Sequence, residues 1–141
     1  MDFMTTFKIC GSGMAAQRAK LDVVTSNLAN VNTTRTPEGG PYKKKSVTLA
    51  SEVIDGGFGS AIGDALRSVK VESVTEAPNA TKMVHDPSHP DANNNGYVEM
   101  PDVNVMTEMA DLIVTSRSYE ACVTAFDSAK NMALKTLDIG R

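Results

Sequence analysis

Large aromatic residues and cysteines are scarce in this sequence. Its 141 residues include no Trp, four Phe and three Tyr. The chain therefore lacks the aromatic area that usually anchors a compact core, and we expect part of its apolar surface to need a partner. The only two cysteines, Cys10 and Cys122, lie in helical patterns at opposite ends of the chain, which excludes a disulfide framework. We expect both to be reduced thiols that behave as small apolar side chains.

A large excess of charge and a long hydrophobic run are also missing. Fourteen Lys and Arg stand against 17 Asp and Glu, for a net charge of -3. Such a mildly acidic chain lacks the electrostatic footprint of a protein that binds nucleic acid or coats an anionic membrane. No apolar run approaches the roughly 18 residues of a transmembrane helix, and no signal peptide is recognisable. We expect a chain made in the cytoplasm, with neither nucleic acid nor a membrane span.

Apolar residues recur at alternating steps of four and three near both ends of the chain. This heptad spacing predicts two coiled-coil-like helices, each with an apolar seam that needs a partner. The first seam has one polar break and comprises Phe3, Phe7, Cys10, Met14, Gln17, Leu21, Val24, Leu28 and Val31. The second has two and comprises Val105, Met109, Leu112, Ser116, Tyr119, Val123, Phe126, Lys130, Ala133 and Leu137.

Two long helices of similar length predict an antiparallel hairpin with the middle of the chain projecting from one end. The predicted fold class is α+β. Residues 1–32 and 102–141 would pair as one discontinuous helical domain, and residues 33–101 would form a small irregular lobe. Pro and Gly at 36–41 predict a turn, and alternation or short apolar runs predict strands. The predicted strands span 42–50, 67–75, 82–85 and 96–100, and a Gly-rich loop is predicted at 55–64.

A second group of small and apolar residues flanks each seam. Two interpretations stay open: the middle lobe folds back over these residues, or they pack laterally against copies or relatives of the same hairpin. On the first helix they are Ile9, Ala16 and Val23. On the last helix they are Val114, Ala121, Cys122, Ala125, Ala129 and Met132.

Candidate chemical sites are weak. The stretch from Asp91 to Gly96, with Asp102 at the twelfth position, matches the spacing of a calcium loop, yet flanking helices are missing and a tight turn has the same composition. His85 and His89 lie among prolines that exclude a regular helix, so a solvated turn is favoured over a metal site. The run Lys43-Lys44-Lys45 is typical of a solvated edge strand. No nucleophile is paired with a base, so we expect neither an enzyme nor a cofactor.

Two long motifs resemble known proteins. Residues 26–42 read SNLANVNTTRTPEGGPY, which is similar to the amino-terminal signature of bacterial flagellar rod proteins and in particular of the FlgC (proximal rod) family. Matching carboxyl-terminal segments follow in the expected order: GYV at 96–98, Pro101, VNV at 103–105, Glu108-Met109, SRSYEA at 116–121 and ALKTL at 133–137.

The resemblance implies a structural subunit of the flagellar basal-body rod. Such a protein would be exported by the flagellar type III apparatus without signal-peptide cleavage. It would assemble across the periplasm with copies of itself and other rod proteins, its terminal helices forming the drive-shaft and the wall of the export channel. A soluble helical-hairpin adaptor and a calcium-binding module are the alternatives. The assembly role falls on Phe7, Met14, Leu21, Val24, Asn27, Leu28, Asn30, Asn32, Met109, Leu112, Tyr119, Val123, Phe126 and Leu137.

Overall fold

Two long helices bracket four short strands in the computed structural model, which describes residues 3–54, 66–78 and 80–140. The order is α1 (Phe3–Ala29), β1 (Lys45–Val53), β2 (Arg67–Glu76), β3 (Thr81–His85), β4 (Tyr97–Pro101) and α2 (Val105–Ile139). The predicted α+β class and the predicted strands are confirmed, whereas the predicted loop at 55–64 lies outside the described residues. Within the described ranges, neither helix is apolar enough over a sufficient length to cross a bilayer.

α1 ends three residues earlier than the predicted boundary at residue 32. The backbone N–H of Asn30 still bonds to the carbonyl of Ser26 at 3.1 Å, and the Asn30 side chain donates to the same carbonyl at 2.9 Å. The next backbone N–H, that of Val31, bonds to the Leu28 carbonyl three residues back at 3.5 Å, so the four-residue ladder of the helix ends here. The predicted turn follows, with Gly39 and Gly40 at φ values of +89° and +82° that favour glycine.

α2 begins with a side-chain cap. Asn104 Oδ1 accepts hydrogen bonds from the backbone N–H groups of Met106 at 3.0 Å and Thr107 at 3.4 Å. These two donors have no partner inside the helix, so the cap fixes where α2 starts. The helix then continues for 35 residues, or about 52 Å, compared with 27 residues and about 40 Å for α1.

The strands form two separate antiparallel pairs. β1 pairs with β2 from Lys45 opposite Glu76 to Val53 opposite Arg67, with a register shift between Thr48 and Leu49. β3 pairs with β4. β1 starts three residues later than predicted, because the backbone N–H of Tyr42 donates to the Thr33 carbonyl in the segment after α1, at 3.0 Å, and not to β2.

The β1–β2 hairpin lies along α1. The backbone N–H of Val69 donates to Ser12 Oγ at 3.2 Å, and the side chain of Asn27, about 22 Å further along the helix, bonds to Lys45. Ala16 is on the same helical face as Ser12 and is only 2% exposed. The expectation that the middle projects from one end is therefore wrong for this hairpin. For α1, the interpretation that the middle folds back over the flank is correct.

Candidate functional site

The helix pair brings together residues from both predicted seams. The rings of Phe7 and Phe126 have centroids 5.0 Å apart. Near the other end of α1, Asn27 donates to the carboxylate of Glu108 at 3.1 Å. A Cβ added at Gly13 would lie 3.3 Å from Cys122 Sγ, so the glycine allows a close approach of the two helices. From the first of these contacts to the last along α1, the partner residues lie progressively earlier in α2, so the two helices run in opposite directions.

The predicted interface residues divide by burial. Val24 and Asn27 are buried, whereas Asn32, Met109 and Leu137 are exposed. The remaining members are half-buried: Phe7, Met14, Leu21, Leu28, Asn30, Leu112, Tyr119, Val123 and Phe126.

The inward row of α2 differs from the predicted seam. Glu108, Thr115 and Ala129 are at most 3% exposed, and Cys122 lies at the same seven-residue spacing. Cys122 and Ala129, both members of the predicted flank, thus lie on the buried side of the helix. Heptad spacing alone did not reveal this row because small and polar residues occupy it, while apolar residues such as Met109 lie outside it.

The outer ridge of α2 remains exposed. Its two largest members, Val114 and Met132, are 60% and 58% exposed. We use the name outer ridge for the exposed members of the predicted flank, which are Val114, Ala121, Ala125 and Met132.

Asn27 is the centre of a buried polar cluster. Its Oδ1 accepts from the Tyr42 hydroxyl and from the Lys45 backbone N–H, each at 2.9 Å. Its Nδ2 donates to the Lys45 carbonyl at 2.9 Å and to Glu108 Oε2. Since an amide side chain has two donor hydrogens and two acceptor lone pairs, every one of its hydrogen-bonding positions is filled. Asn27 thus joins α1, the start of β1 and the start of α2.

Lys44 and Glu108 complete this cluster. Lys44 Nζ lies 2.7 Å from Glu108 Oε1, and the Glu108 side chain is 2% exposed. A carboxylate at this depth needs a partner, because burying an unpaired charge costs several kcal/mol. Sequence reasoning identified Asn27 through its motif but treated Lys44 as solvated. In the sequence, the cluster is indicated only by Glu108 and Tyr42, because both belong to the segments that resemble rod proteins.

The candidate calcium loop is a turn. Both carboxylate oxygens of Asp91 are engaged, one by Arg35 at 2.9 Å and the other by the Thr34 hydroxyl at 2.9 Å. Asn93 Oδ1 accepts from the backbone N–H groups of Asn95 and Tyr97. Asp91 therefore ties the loop between β3 and β4 to the segment after α1, and the calcium-binding alternative is not supported.

The histidine region has the features of a surface turn. The Ser88 hydroxyl and backbone N–H both donate to Asp86, and these bonds hold the pKa of that carboxyl below its usual value. His89 Nδ1 accepts from the Asp91 backbone N–H, and the His85 ring packs edge-on against Tyr97. Over the described part of the chain, no three His, Cys, Asp or Glu side chains cluster in a way that could hold a metal ion.

Comparison with known proteins matches both ends of the chain and its full length. Residues 8–35 match the family model of the flagella basal body rod protein, and residues 94–139 match the model of the flagellar basal body rod FlgEFG protein C-terminal region. The chain is 43% identical to the flagellar basal-body rod protein FlgC of Bacillus subtilis, with 98% of this chain and 100% of the relative aligned. The chain belongs to the FlgC family.

Other FlgC proteins align over similar lengths. Identity is 41% to the Salmonella typhimurium protein, over 100% of both chains, and 38% to the Borreliella burgdorferi protein, over 99% of this chain and 98% of the relative. This chain is accordingly a structural subunit of the flagellar basal-body rod and not an enzyme. The family assignment confirms the resemblance in the two sequence motifs, and it does not support the adaptor alternative.

Proposed function

We propose that this FlgC-family chain self-assembles with copies of itself and with other rod proteins through its terminal helices, forming the drive-shaft and the wall of the export channel. The observation that carries this proposal is the outer ridge of α2. It presents apolar and small side chains along about 27 Å of helix, and nothing in the described part of the chain covers Val114 or Met132. Burying such a stripe against neighbours is favourable at about 25 cal/mol per Å².

The helical pair is the unit that packs. We infer a coiled-coil-like antiparallel hairpin in which residues 1–32 and 102–141 form one discontinuous domain, with residues 33–101 as the lobe. The contacts Phe7–Phe126 and Asn27–Glu108 support this division, because they join the two terminal segments at both ends of α1. The lobe is fastened to this unit by the hairpin that lies along α1.

The predicted interface residues then have two roles. The buried and half-buried members, such as Val24, Leu112 and Phe126, hold the hairpin together. The exposed members Met109 and Leu137 contact neighbouring subunits, since their side chains are 47% and 72% exposed. Both roles serve assembly and neither is catalytic.

Export and location are inferences that rest on the family resemblance. We infer that the chain is synthesised in the cytoplasm, passes through the flagellar type III apparatus without cleavage and joins a rod that spans the periplasm. Support comes from Gly11 and Gly13, each of which lowers the stability of α1 by about 1 kcal/mol relative to Ala. A weak helix and a thin core make it easier for the chain to travel unfolded.

A matched pair of substitutions tests this proposal. Val114→Asp places a charge on the outer ridge, while Thr124→Asp places the same charge at an exposed polar position on α2. In a strain whose own rod gene is deleted, Val114→Asp is expected to abolish swimming and incorporation into isolated basal bodies, whereas Thr124→Asp preserves both. Normal incorporation of Val114→Asp would show that the outer ridge is not an assembly surface.

Equal folding of the two variants is the control. Both substitutions replace an exposed β-branched residue, so their free energies of unfolding are expected to agree within about 0.5 kcal/mol. Circular dichroism and urea unfolding of the purified chains measure this.

A further inference from the structure

The fold brings the two cysteines together, although they lie at opposite ends of the sequence. Cys10 lies on α1 three residues from Phe7 and three from Gly13, and both of these positions meet α2. Cys122 lies on α2 four residues before Phe126, and its Sγ is 3.3 Å from the place of a Cβ at Gly13. Since residues three or four apart are neighbours on one side of a helix, Cys10 and Cys122 lie on the facing sides of the two helices.

The separation of the two cysteines fits a disulfide bond. Gly13 is level with Cys122, so Cys10 is displaced from Cys122 by about 4.5 Å along the helix axis. Helices in close contact have axes about 8 Å apart, which leaves about 3.4 Å between backbone atoms that face each other. Together these offsets place the two Cα atoms about 6 Å apart, and disulfides join Cα atoms about 4.4–6.8 Å apart.

Both thiols are free, and both residues are half-buried. A small oxidant can therefore reach them in the separate chain. The sequence has no third cysteine, so only one pairing within the chain is possible. The fold thus presents a single pair of thiols that an oxidant can join without rearranging the helices.

A bond between these cysteines would compensate for the weakness of α1. Gly11 and Gly13 lower the stability of this helix next to Cys10. Most of the chain lies between Cys10 and Cys122, and closing so long a loop strongly restricts the unfolded state, which stabilises the folded one. The same bond would keep the chain from passing through a narrow channel as one extended strand. It is therefore useful only after export.

On the basis of the export and location proposed above, we propose that Cys10 and Cys122 stay reduced during export and then form an intramolecular disulfide that locks α1 against α2. The oxidant is itself a disulfide, as expected in an oxidising compartment such as the periplasm. One cysteine thiolate attacks it, which forms a mixed disulfide and releases one thiolate of the oxidant. The other cysteine attacks the mixed disulfide, closes the bond and releases the second thiolate. Two electrons pass to the oxidant, and the two thiol protons of the chain go to the released thiolates.

The redox equilibrium of the purified full chain tests this pairing. The chain is incubated in glutathione buffers of graded composition, and the fraction bonded between Cys10 and Cys122 is measured by mass spectrometry after alkylation. The equilibrium constant for closing the bond is expected to be at least about thirtyfold larger in the folded chain than in concentrated urea. The thermal unfolding midpoint is expected to rise by about 6 °C or more on oxidation. Equal constants, or bonds only between molecules, would overturn the proposal.

The matched control moves one cysteine to another side of α1. Cys10→Ala is combined with Lys8→Cys, which places the thiol two residues away at an exposed position. Residues two apart do not share a side of a helix, so folding is expected to give this pair no gain in the equilibrium constant over the chain in urea. If the control pair gained as much from folding as the natural pair, the fold would not select Cys10 and the proposal would be wrong.

Alkylation of isolated basal bodies tests the bond in the cell and separates it from assembly. After denaturation, the cysteines of the assembled chain are expected to resist alkylation until a reductant is added. Those of chain retained in the cytoplasm of an export-blocked strain are expected to react at once. Free thiols in assembled chain would overturn the disulfide and leave the assembly proposal standing. A disulfide in basal bodies together with normal incorporation of Val114→Asp would support the disulfide and overturn the role of the outer ridge.

Discussion

The two terminal helices differ in how many of their sides are covered. α1 contacts α2 through Phe7 and contacts the β1–β2 hairpin through Ser12 and Asn27. In α1 the large apolar residues that remain exposed are confined to its start, at Phe3 and Met4. The exposed set in α2 is spread along the helix: Val105, Met106, Met109, Ile113, Val114, Met132, Leu134, Leu137 and Ile139.

Because of this difference, the two helices have different roles in folding and in assembly. α1 is held between α2 and the hairpin, so its side chains mainly stabilise the single chain. α2 has one packed side and one open side, so it is the helix whose substitutions can separate folding from assembly. Exposed apolar stripes of this kind are typical of interaction surfaces.

The largest effect on folding is expected at Asn27. Asn27→Ala removes four hydrogen bonds and leaves Glu108 and the Lys45 backbone with fewer buried partners, at a cost of about 3 kcal/mol. Asn32→Ala, at an exposed position of the same motif, is expected to cost less than about 0.5 kcal/mol. Urea unfolding measures both. Equal losses would mean that the polar cluster does not hold the elements together.

A smaller change in the free energy of unfolding is expected when substitutions on the packed side and on the open side of α2 are compared. Phe126→Ala removes the ring that packs on Phe7 and is expected to cost about 2 kcal/mol of unfolding free energy, a value reduced because the side chain is only half-buried. Ile113→Ala, at a residue 59% exposed, is expected to change it by less than about 0.5 kcal/mol. If thermal melting ranked these variants in the reverse order, the packed side of α2 would be misassigned.

The smallest effect concerns the two glycines of α1. Gly11→Ala meets no neighbour within 4 Å and is expected to stabilise the chain by about 1 kcal/mol through helix propensity. Gly13→Ala gains less, because its Cβ would lie 3.3 Å from Cys122 Sγ. Adding Cys122→Ala should restore the gain, which a double-mutant cycle measures. An equal gain at both glycines in the original chain would argue against a close helix approach at Gly13.

Local patterns predicted the secondary structure well. The apolar heptads indicated both helices, and the turn residues at 36–41 indicated the break after α1, because these signals depend on neighbours in sequence. The alternation in β2 likewise reflects backbone geometry. The end of α1 lies three residues before the predicted boundary, since the change to a three-residue bond from Val31 to Leu28 carries no apolar periodicity.

The polar cluster was only half predictable. Asn27 belongs to the motif that carried the family resemblance, but its hydrogen bond to Glu108 spans 81 positions of sequence. Lys44 reads as an ordinary surface lysine until α2 brings a buried carboxylate beside it. A contact of this kind has no periodic signal, because it arises from the meeting of three separate elements.

By itself, the sequence determined the α+β class, the two helices with heptad spacing, the strands, the turn and the FlgC-family membership. Only the tertiary structure decided which side of α2 is packed, that the β1–β2 hairpin covers α1, and that Asn27 joins three elements. Heptad spacing marks an apolar side of a helix, whereas burial depends on which other element of the fold packs against that helix. In α2 the small and polar row at Glu108, Thr115, Cys122 and Ala129 allows the closer approach, and larger residues such as Met109 and Val114 stay outside.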